Sequence, residues 1–370
     1  MESTVLVYVT GHGFGHAVRT AELLWELAPL MPGVRFAVRT TAPAHLFAGL
    51  PARVERAAID AGVCETEGGL DVDVARTVHA LAGLFAAREE IVAREADCCR
   101  RHRPALILAD IPFFAGDIAA AAGVPCVGLA NFTWDWIYEP FAAEDASIAA
   151  FLPPIRASYG RFDHILRLPF SQPVWPETAA IHHIPLIGRR SRREPEELLA
   201  GLGLDPRDGR TRVLAAMRGG LPPGVLEAAA RQSPDCLFLD CATPGEAPAP
   251  NVMRVSAAGR TGFPDLLAVA GVAVSKLGYG TVADSIGART RLLYPPRRRF
   301  RETERMESAA AEHLRMLAIP WRDFASGNWR DYIRSLASAP RIETDMAIDG
   351  ARAGARMVAD LLAGSQPARM

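Results

Sequence analysis

The stretch VLVYVTGHGFGHAVRTAELLWEL, residues 5–27, joins an apolar strand to a helix through a loop that contains three glycines. Its first five residues are aliphatic or aromatic, which is typical of a strand buried on both faces. From Ala17 onward the apolar residues follow a helical spacing. A strand that turns tightly into a helix is the first half of a parallel β-α-β unit. The stretch therefore predicts an α/β fold.

The same alternation continues along most of the chain. It lapses in the arginine-rich stretch around residues 183–197 and then begins again. We interpret the pattern as two α/β domains, residues 1–185 and 186–370, joined near residues 186–205. The last segment, Asp349–Ala363, is predicted to be a helix that packs back on one of them. The predicted strands are Val5–Val9, Val34–Val38, Leu106–Ala109, Val124–Leu129, Arg212–Met217, Cys236–Leu239, Val252–Val255, Val272–Ser275 and Arg291–Tyr294.

Composition excludes several classes of protein. With 49% hydrophobic and 22% charged residues, the chain is globular and not disordered. A net charge of −1 gives no general attraction to nucleic acid or acidic membranes. No apolar run reaches the ~18 residues of a membrane span, and the N-terminus lacks the basic region of a signal peptide. We expect a cytoplasmic protein with no membrane span and with small-molecule partners. The sequence leaves open whether it forms a homodimer.

The six cysteines form no C-x-x-C pair, so we expect reduced thiols and neither a disulfide framework nor a metal site. The sequence also holds no convincing cluster of other metal ligands. We therefore expect no bound cofactor and no metal.

The first glycine-rich loop carries two titratable side chains, His12 and His16, at the end of the first strand. Gly13 and Phe14 lie between them. A helix N-terminus attracts anions, and a neutral imidazole there can accept the proton of an attacking hydroxyl. The loop is G-x-G-x-G, which fails as a dinucleotide fingerprint, although Arg39 keeps an NADP-dependent enzyme as a weaker alternative. The plainer interpretation is a tight turn in which the two histidines only cap the start of the helix and have no catalytic role.

A second loop, SKLGYGT at residues 275–281, follows another strand and precedes another helix. It contains Lys276, which is the only lysine of the chain. The glycines and the threonine suit a diphosphate at a helix N-terminus. The P-loop pattern is absent, which disfavours ATP-driven phosphoryl transfer. Arg297 in the downstream stretch YPPRRRFRE, and the glycine pair Gly219-Gly220, lie at further strand ends.

Two features lie on the same rim as His16. Asp110 ends a predicted strand and is placed to orient His16, or else to cap the next segment. The aromatic stretch NFTWDWIY, residues 131–138, is either a stacking platform for an acceptor or a filler of the domain core. Asp135 within it carries a charge that is costly to bury without a partner.

Together these motifs resemble the GT-B glycosyltransferases, in which two Rossmann-like domains face each other across a cleft. A closer likeness is to the glycosyltransferase-like N-terminal domain of the L-arabinokinases, from about residue 4 to residue 362, with the kinase domain missing. It is carried by VTGHGFGHA at residues 9–17, NFTWDWIY, RLP at residues 167–169, SKLGYGT and FASGNW at residues 324–329.

The resemblance implies a role for each matching residue. His16 corresponds to the general base of inverting UDP-glycosyltransferases, and we take His16 and Asp110 as the catalytic residues. Donor binding is assigned to Gly219, Gly220, Ser275, Lys276, Gly278, Tyr279, Gly280, Thr281, Asp284, Arg297 and Glu302. Acceptor binding is assigned to His12, Gly13, Phe14, Asp60, Asn131, Trp134 and Asp135. Within the donor set, Asp284 corresponds to the acid that binds ribose and Glu302 to a contact with the donor sugar. The arabinokinase pattern has a second acid after Glu302, where this chain has Thr303.

The implied function is metal-independent, inverting transfer of a sugar from a nucleotide sugar, with a UDP-sugar as first candidate, to a small hydroxyl or amine acceptor. The alternative is a protein that binds nucleotide sugars without catalysis, as a sensor or partner subunit.

Overall fold

Two separate parallel sheets organise the computed structural model, which describes residues 4–66, 68–217, 220–241, 247–255 and 262–364. The strands of the first sheet are β1 (Thr4–Val9), β2 (Arg35–Thr40), β3 (Ala52–Arg56), β4 (Leu106–Asp110), β5 (Cys126–Ala130), β6 (His164–Arg167) and β7 (Ala180–His183). Those of the second sheet are β8 (Thr211–Ala215), β9 (Cys236–Asp240), β10 (Val252–Arg254), β11 (Val272–Val274), β12 (Arg291–Tyr294) and β13 (Met316–Ala318).

Helices cover the faces of both sheets. Those of the first part are α1 (Gly15–Leu30), α2 (Val74–Ala86), α3 (Arg88–His102), α4 (Phe114–Ala122), α5 (Trp134–Tyr138) and α6 (Leu152–Tyr159). Those of the second part are α7 (Pro195–Gly201), α8 (Val225–Gln232), α9 (Phe263–Val269), α10 (Tyr279–Ala288), α11 (Arg301–Ala310), α12 (Trp321–Ala325), α13 (Arg330–Ser338) and α14 (Gly350–Gly364).

Strand order places the ligand-binding edge of each sheet. The first sheet has the order β3-β2-β1-β4-β5-β6-β7 and the second has β10-β9-β8-β11-β12-β13. The direction of the strand order reverses between β1 and β4 in the first sheet and between β8 and β11 in the second. Crevices at such reversal points, at the carboxyl ends of the strands, bind ligands in open α/β sheets. Both glycine-rich loops lie at these points.

The central strands are long apolar runs because helices cover them on both sides. Every residue of β4 and β5 is buried, and five of the six residues of β1 are. The edge strand β3 is different, since its residues are half-buried or exposed.

The last helix packs back on the first domain, a choice between the two domains that the sequence left open. Gly354 of α14 lies so close to α1 that a Cβ there would be 3.0 Å from Leu23 Cδ1. The connection between the domains is paired with the segment that leads into α14, because Leu186 and Gly188 donate backbone hydrogen bonds to Ala347 and Ile348. The chain therefore crosses between the domains twice, at one place.

Within the part of the chain that the structure describes, none of the helices combines the length and apolar character needed to cross a lipid bilayer.

Gly354→Leu tests the docking of α14 on α1. The larger side chain overpacks the contact, and we expect the free energy of unfolding to fall by about 1–3 kcal/mol. The matched control is Gly83→Leu in α2, where a Cβ meets nothing within 4 Å, so we expect no loss and a small gain in helix propensity. Urea denaturation of both variants gives the comparison. Equal stability of the two variants would contradict the packing described here.

Candidate active site

The candidate site forms where β1 and β4 end side by side. The register pairs Val9 with Asp110, and the amide of Thr10 donates to the Asp110 carbonyl at 2.8 Å. The loop then turns through Gly13, whose φ of 80° favours glycine. Helix α1 begins at Gly15, beside the end of β4. Side chains of the first turns of α1 therefore reach the end of β4.

The two residues predicted as catalytic are in contact. Nδ1 of His16 lies 2.7 Å from Oδ1 of Asp110. Nη2 of Arg19, which can only donate, lies 3.1 Å from the same nitrogen, but it already donates to Asp110 at 2.6 Å. Because the closer carboxylate only accepts hydrogen bonds, we assign the proton to Nδ1, which leaves the lone pair of Nε2 available. Asp110 is fully buried and His16 is 8% exposed. This is the geometry of a base and the group that orients it, and their role stays a prediction.

Arg19 is a central residue that the sequence patterns did not single out. Its Nε and Nη2 donate to the two carboxylate oxygens of Asp110 at 2.7 and 2.6 Å, and Thr20 adds a third donor group at 2.9 Å. Burial alone would raise the pKa of Asp110, but Arg19 and His16 hold it below its ordinary value. The sequence could have revealed Arg19 in one way: it is a charged residue on the apolar face of the predicted helix, one turn after His16.

The two domains meet at this cluster. Nη1 of Arg19 donates to Oδ1 of Asn131 at 2.8 Å, and Nδ2 of Asn131 donates to Oε1 of Glu302 at 2.7 Å. The ring of Tyr279 lies 5.3 Å from the Arg19 guanidinium carbon. Its buried hydroxyl has no hydrogen-bond partner among the described residues. A chain of hydrogen bonds thus runs from the histidine of one domain to a predicted donor residue of the other.

Asp60 lies on the acceptor side. It accepts a hydrogen bond from Nε1 of Trp134 at 3.0 Å. Burial raises the pKa of Asp60 to about 6, against the opposing effects of Thr10 and His16. The residue also lines an open groove of about 800 Å³ between residues 56–61 and helices α2 and α3. Asp60 therefore joins the groove to the surroundings of the histidine.

The aromatic stretch fills the core, and two of its predicted acceptor contacts need correction. Trp134 and Tyr138 are fully buried, with stacked rings 5.5 Å apart, so Trp134 offers no free ring face. Asp135 lies apart from the cluster, because its carboxylate accepts from Nε of Arg156 at 3.0 Å. Three other predicted acceptor residues, His12, Gly13 and Phe14, lie in the first glycine-rich loop itself. His12 packs edge-on against Trp134, and Phe14 is 38% exposed.

The donor loop faces the first loop directly. Gly278 precedes α10, and a Cβ at Gly280 would lie 4.0 Å from the Cα of Gly15. Thr281 is half-buried in the first turn of α10. Ser275 is turned back, since its hydroxyl donates to the carbonyl of Ala216 at 2.8 Å. The N-terminus of α10 thus lies beside the N-terminus of α1, next to His16, and a helix N-terminus favours an anion.

Two predicted donor glycines precede α8. Gly220 has a φ of 84°, which favours glycine. Gly219 lies outside the described residues.

Asp284 has a partner that the prediction did not include. Its Oδ1 accepts from the backbone amide of Arg189 at 2.7 Å, and its Oδ2 accepts from the Arg189 side chain at 2.6 and 3.1 Å. Asp284 is 2% exposed. Burial raises its pKa, and Arg189 opposes this effect. In this structure the carboxylate joins the interdomain connection, and Arg189 donates to both of its oxygens.

Two rival interpretations of the first sheet are disfavoured. Arg39 donates to Glu95 and Glu55, so it is not available to a 2′-phosphate. Among the described residues, one group places three metal-ligating atoms within 4.8 Å of one another: Glu55, Cys98 and His102. Its Glu55 is already paired with Arg39 and Arg53. None of these residues belongs to the candidate site.

Comparison with known proteins supports the fold. No family model matches the chain. It superimposes on the glycotransferase of kitacinnamycin with a TM-score of 0.66 and 17% identity, over 99% of this chain and all of that one. This chain has the GT-B fold. The GT-B glycosyltransferase VinC, in complex with dTDP, matches with a TM-score of 0.56 and 19% identity, over 97% of this chain and 96% of that one.

The GT-B chain also resembles a longer protein. It is 26% identical to L-arabinokinase of Arabidopsis thaliana over 345 residues, which cover 90% of this chain and 32% of that protein. The chain therefore spans about a third of the length of this relative.

Asp110→Asn tests the buried ion pair. Removing one charge leaves Arg19 buried without its partner, so we expect the free energy of unfolding to fall by about 3–5 kcal/mol. The control is Asp235→Asn, because Asp235 pairs with Arg334 at 2.9 Å on the surface, where such pairs contribute about 0–1 kcal/mol. Chemical denaturation at pH 7 measures both. A loss below about 1 kcal/mol in Asp110→Asn would contradict the buried pair.

Asp60 predicts a pH dependence of stability. Its raised pKa favours the protonated form in the folded state, so its contribution is present at low pH and lost as the pH rises through about 6. We expect Asp60→Asn to gain about 1–3 kcal/mol over wild type at pH 8 and little at pH 4. Urea unfolding at both pH values measures the difference. The same gain at both would contradict the raised pKa.

Proposed function

We propose that this protein transfers a sugar from a nucleoside-diphosphate sugar, with a UDP-sugar as first candidate, to a hydroxyl or amine group of a small acceptor. The observation that carries the proposal is the His16–Asp110 pair facing the N-terminus of α10 across the domain boundary. The dTDP bound to VinC, which shares the fold, supports a nucleoside diphosphate as the class of donor.

His16 is the proposed general base. Nε2 takes the proton of the acceptor hydroxyl while the acceptor oxygen bonds to the anomeric carbon. The bond from that carbon to the diphosphate breaks, and the nucleoside diphosphate leaves with the electron pair. Asp110 holds the Nδ1–H and stabilises the imidazolium that forms. Base and leaving group belong to opposite domains, so we expect attack from the face opposite the diphosphate and inversion at the carbon.

The leaving group is stabilised by groups of the second domain. Backbone amides of Gly280 and Thr281 and the cations Lys276 and Arg297 are the proposed partners of the diphosphate. With these charges at hand, we propose that no metal ion is needed. Glu302, at the start of α11, is the proposed contact for hydroxyls of the donor sugar.

The acceptor is proposed to bind in the groove beside Asp60. The residues that line the groove include five alanines, Gly83, Leu84 and Ile91, together with the polar or charged Arg56, His79, Glu90 and Arg94. The charge of Asp60 interacts with His16, so an acceptor hydroxyl held by Asp60 would lie near the proposed base.

A non-catalytic nucleotide-sugar sensor is the second candidate. The name of the related Arabidopsis protein favours it, because that protein is called a kinase and not a glycosyltransferase. The sensor would bind nucleotide sugars without turning them over, and loss of His16 would have no catalytic consequence.

His16→Gln separates the two candidates. Calorimetry with UDP, dTDP, GDP and ADP sugars first identifies the donor, and acceptors are then screened for turnover. Loss of a general base should reduce kcat by about 10²–10⁴-fold while leaving the Kd of the donor unchanged. The exposed His45→Gln is the control and should retain wild-type turnover. Turnover that survives in His16→Gln removes the proposed role, and binding without turnover in wild type favours the sensor.

A further inference from the structure

One carboxylate oxygen serves both Arg19 and His16. Oδ1 of Asp110 accepts from Nδ1 of His16 at 2.7 Å and from Nη2 of Arg19 at 2.6 Å. The two donor nitrogens lie only 3.1 Å from each other. When His16 takes up a second proton at Nε2, its ring becomes a cation in direct contact with the guanidinium of Arg19. The position of Arg19 therefore affects whether His16 is protonated.

Arg19 is held in this position by the edges and by one face of its guanidinium group. Nε donates to the other oxygen of Asp110 at 2.7 Å, and Nη1 donates to Oδ1 of Asn131 at 2.8 Å. The ring of Tyr279, from the second domain, packs 5.3 Å from the guanidinium carbon. Arg19 is 3% exposed, and a guanidinium does not lose its proton in proteins. A permanent positive charge is thus fixed beside His16.

The amide of Asn131 ties Arg19 to the second domain. Its orientation follows from the chemistry of its partners, because Arg19 can only donate and an ionised Glu302 can only accept. Oδ1 therefore faces Arg19, and Nδ2 donates to Oε1 of Glu302 at 2.7 Å. Asn131 is 1% exposed, and both ends of its amide are used. In this structure the predicted acceptor contact Asn131 thus supports Arg19.

The charges that act on His16 oppose one another. The carboxylate of Asp110 favours the imidazolium, and so does Asp60, whose charge also interacts with His16. Arg19 disfavours the imidazolium as a like charge at close range, and from the second domain Glu302 interacts with Arg19. Against burial, which raises the pKa of Asp110, Arg19 is the largest opposing effect and His16 follows. The charge of Asp110 is therefore matched first by Arg19.

We propose that Arg19 is a positioning residue that keeps His16 unprotonated, so that Nε2 is available to accept the proton of the acceptor. The inference rests on the proposed function, in which His16 is the base. Without Arg19 the pair of His16 and Asp110 would bind a proton more readily, because the imidazolium would no longer meet a second cation at the carboxylate. A histidine that is already protonated cannot act as a base. Arg19 thus extends the activity of the site toward lower pH.

NMR of isotope-labelled histidine in the full chain follows the titration of His16 without any substrate, and His16→Gln assigns its signal. Arg19→Gln removes the charge, so we expect the proton affinity of His16 to rise about tenfold or more. Arg19→Lys keeps the charge, and we expect a proton affinity within about threefold of wild type. The matched control is Arg334→Gln, since Arg334 pairs with Asp235 on the surface. This control should leave the titration of His16 unchanged.

An equal or lower proton affinity of His16 in Arg19→Gln would overturn the proposal, because a purely structural role of Arg19 predicts no increase. If Arg19→Gln does not fold, Asp110→Asn is compared with the double variant Arg19→Gln/Asp110→Asn, which leaves neither buried charge without its partner. We then expect His16 to bind the proton about tenfold more tightly in the double variant. Equal affinities in these two variants would also overturn the proposal.

The pH dependence of turnover separates this proposal from the function on which it rests. Once a donor and an acceptor are identified, the acidic limb of kcat/KM should lie at higher pH in Arg19→Gln than in wild type. An unchanged limb would overturn the role of Arg19 in the reaction. If wild type turns over no donor, the proposed function fails, and the NMR titration still decides whether Arg19 keeps His16 unprotonated.

Discussion

The buried ion pair between Arg19 and Asp110 is the interaction on which the arrangement of the cleft depends. An isolated charge inside a protein is strongly unfavourable, so each of these two residues requires the other. The pair fixes the first turns of α1 against the end of β4, which sets the position of His16. Nη1 of Arg19 also donates a hydrogen bond to Asn131, and Asn131 donates one to Glu302 of the other domain. One pair of charges thus positions His16 and connects the first domain to the second.

Much of the fold was readable from the sequence because parallel strands buried on both faces are continuous apolar runs. The runs around Val5 and Leu106 predicted β1 and β4, and the helical spacing near the C-terminus predicted α14. Strands β3, β6, β7 and β13 were missed. The sequence of β3, ARVER, is polar at alternate positions because the strand lies at a sheet edge. The sequences of β6 and β7, HILR and AIHH, are half polar, and that of β13, MLA, has no β-branched or aromatic residue.

The site was predicted only where residues adjoin a strand end. His16 and Asp110 were found this way, and the structure brings them into contact. Arg19 was missed because its importance comes from Asp110, a partner about 90 residues away, and no local pattern encodes such a distance. Arg189, the partner of Asp284, was missed for the same reason, because it lies far away in sequence, in the interdomain connection.

The return of α14 to α1 has a consequence for how the chain is made. Ribosomes release the N-terminal half first, and domains fold in that order when each contains its own core. Here the outer face of α1 is covered by residues 350–364, which are synthesised after the whole second sheet. The apolar face of α1 therefore stays uncovered until residues 350–364 have been synthesised. An exchange of halves at the connection near residue 186 would separate α14 from the helix that it covers.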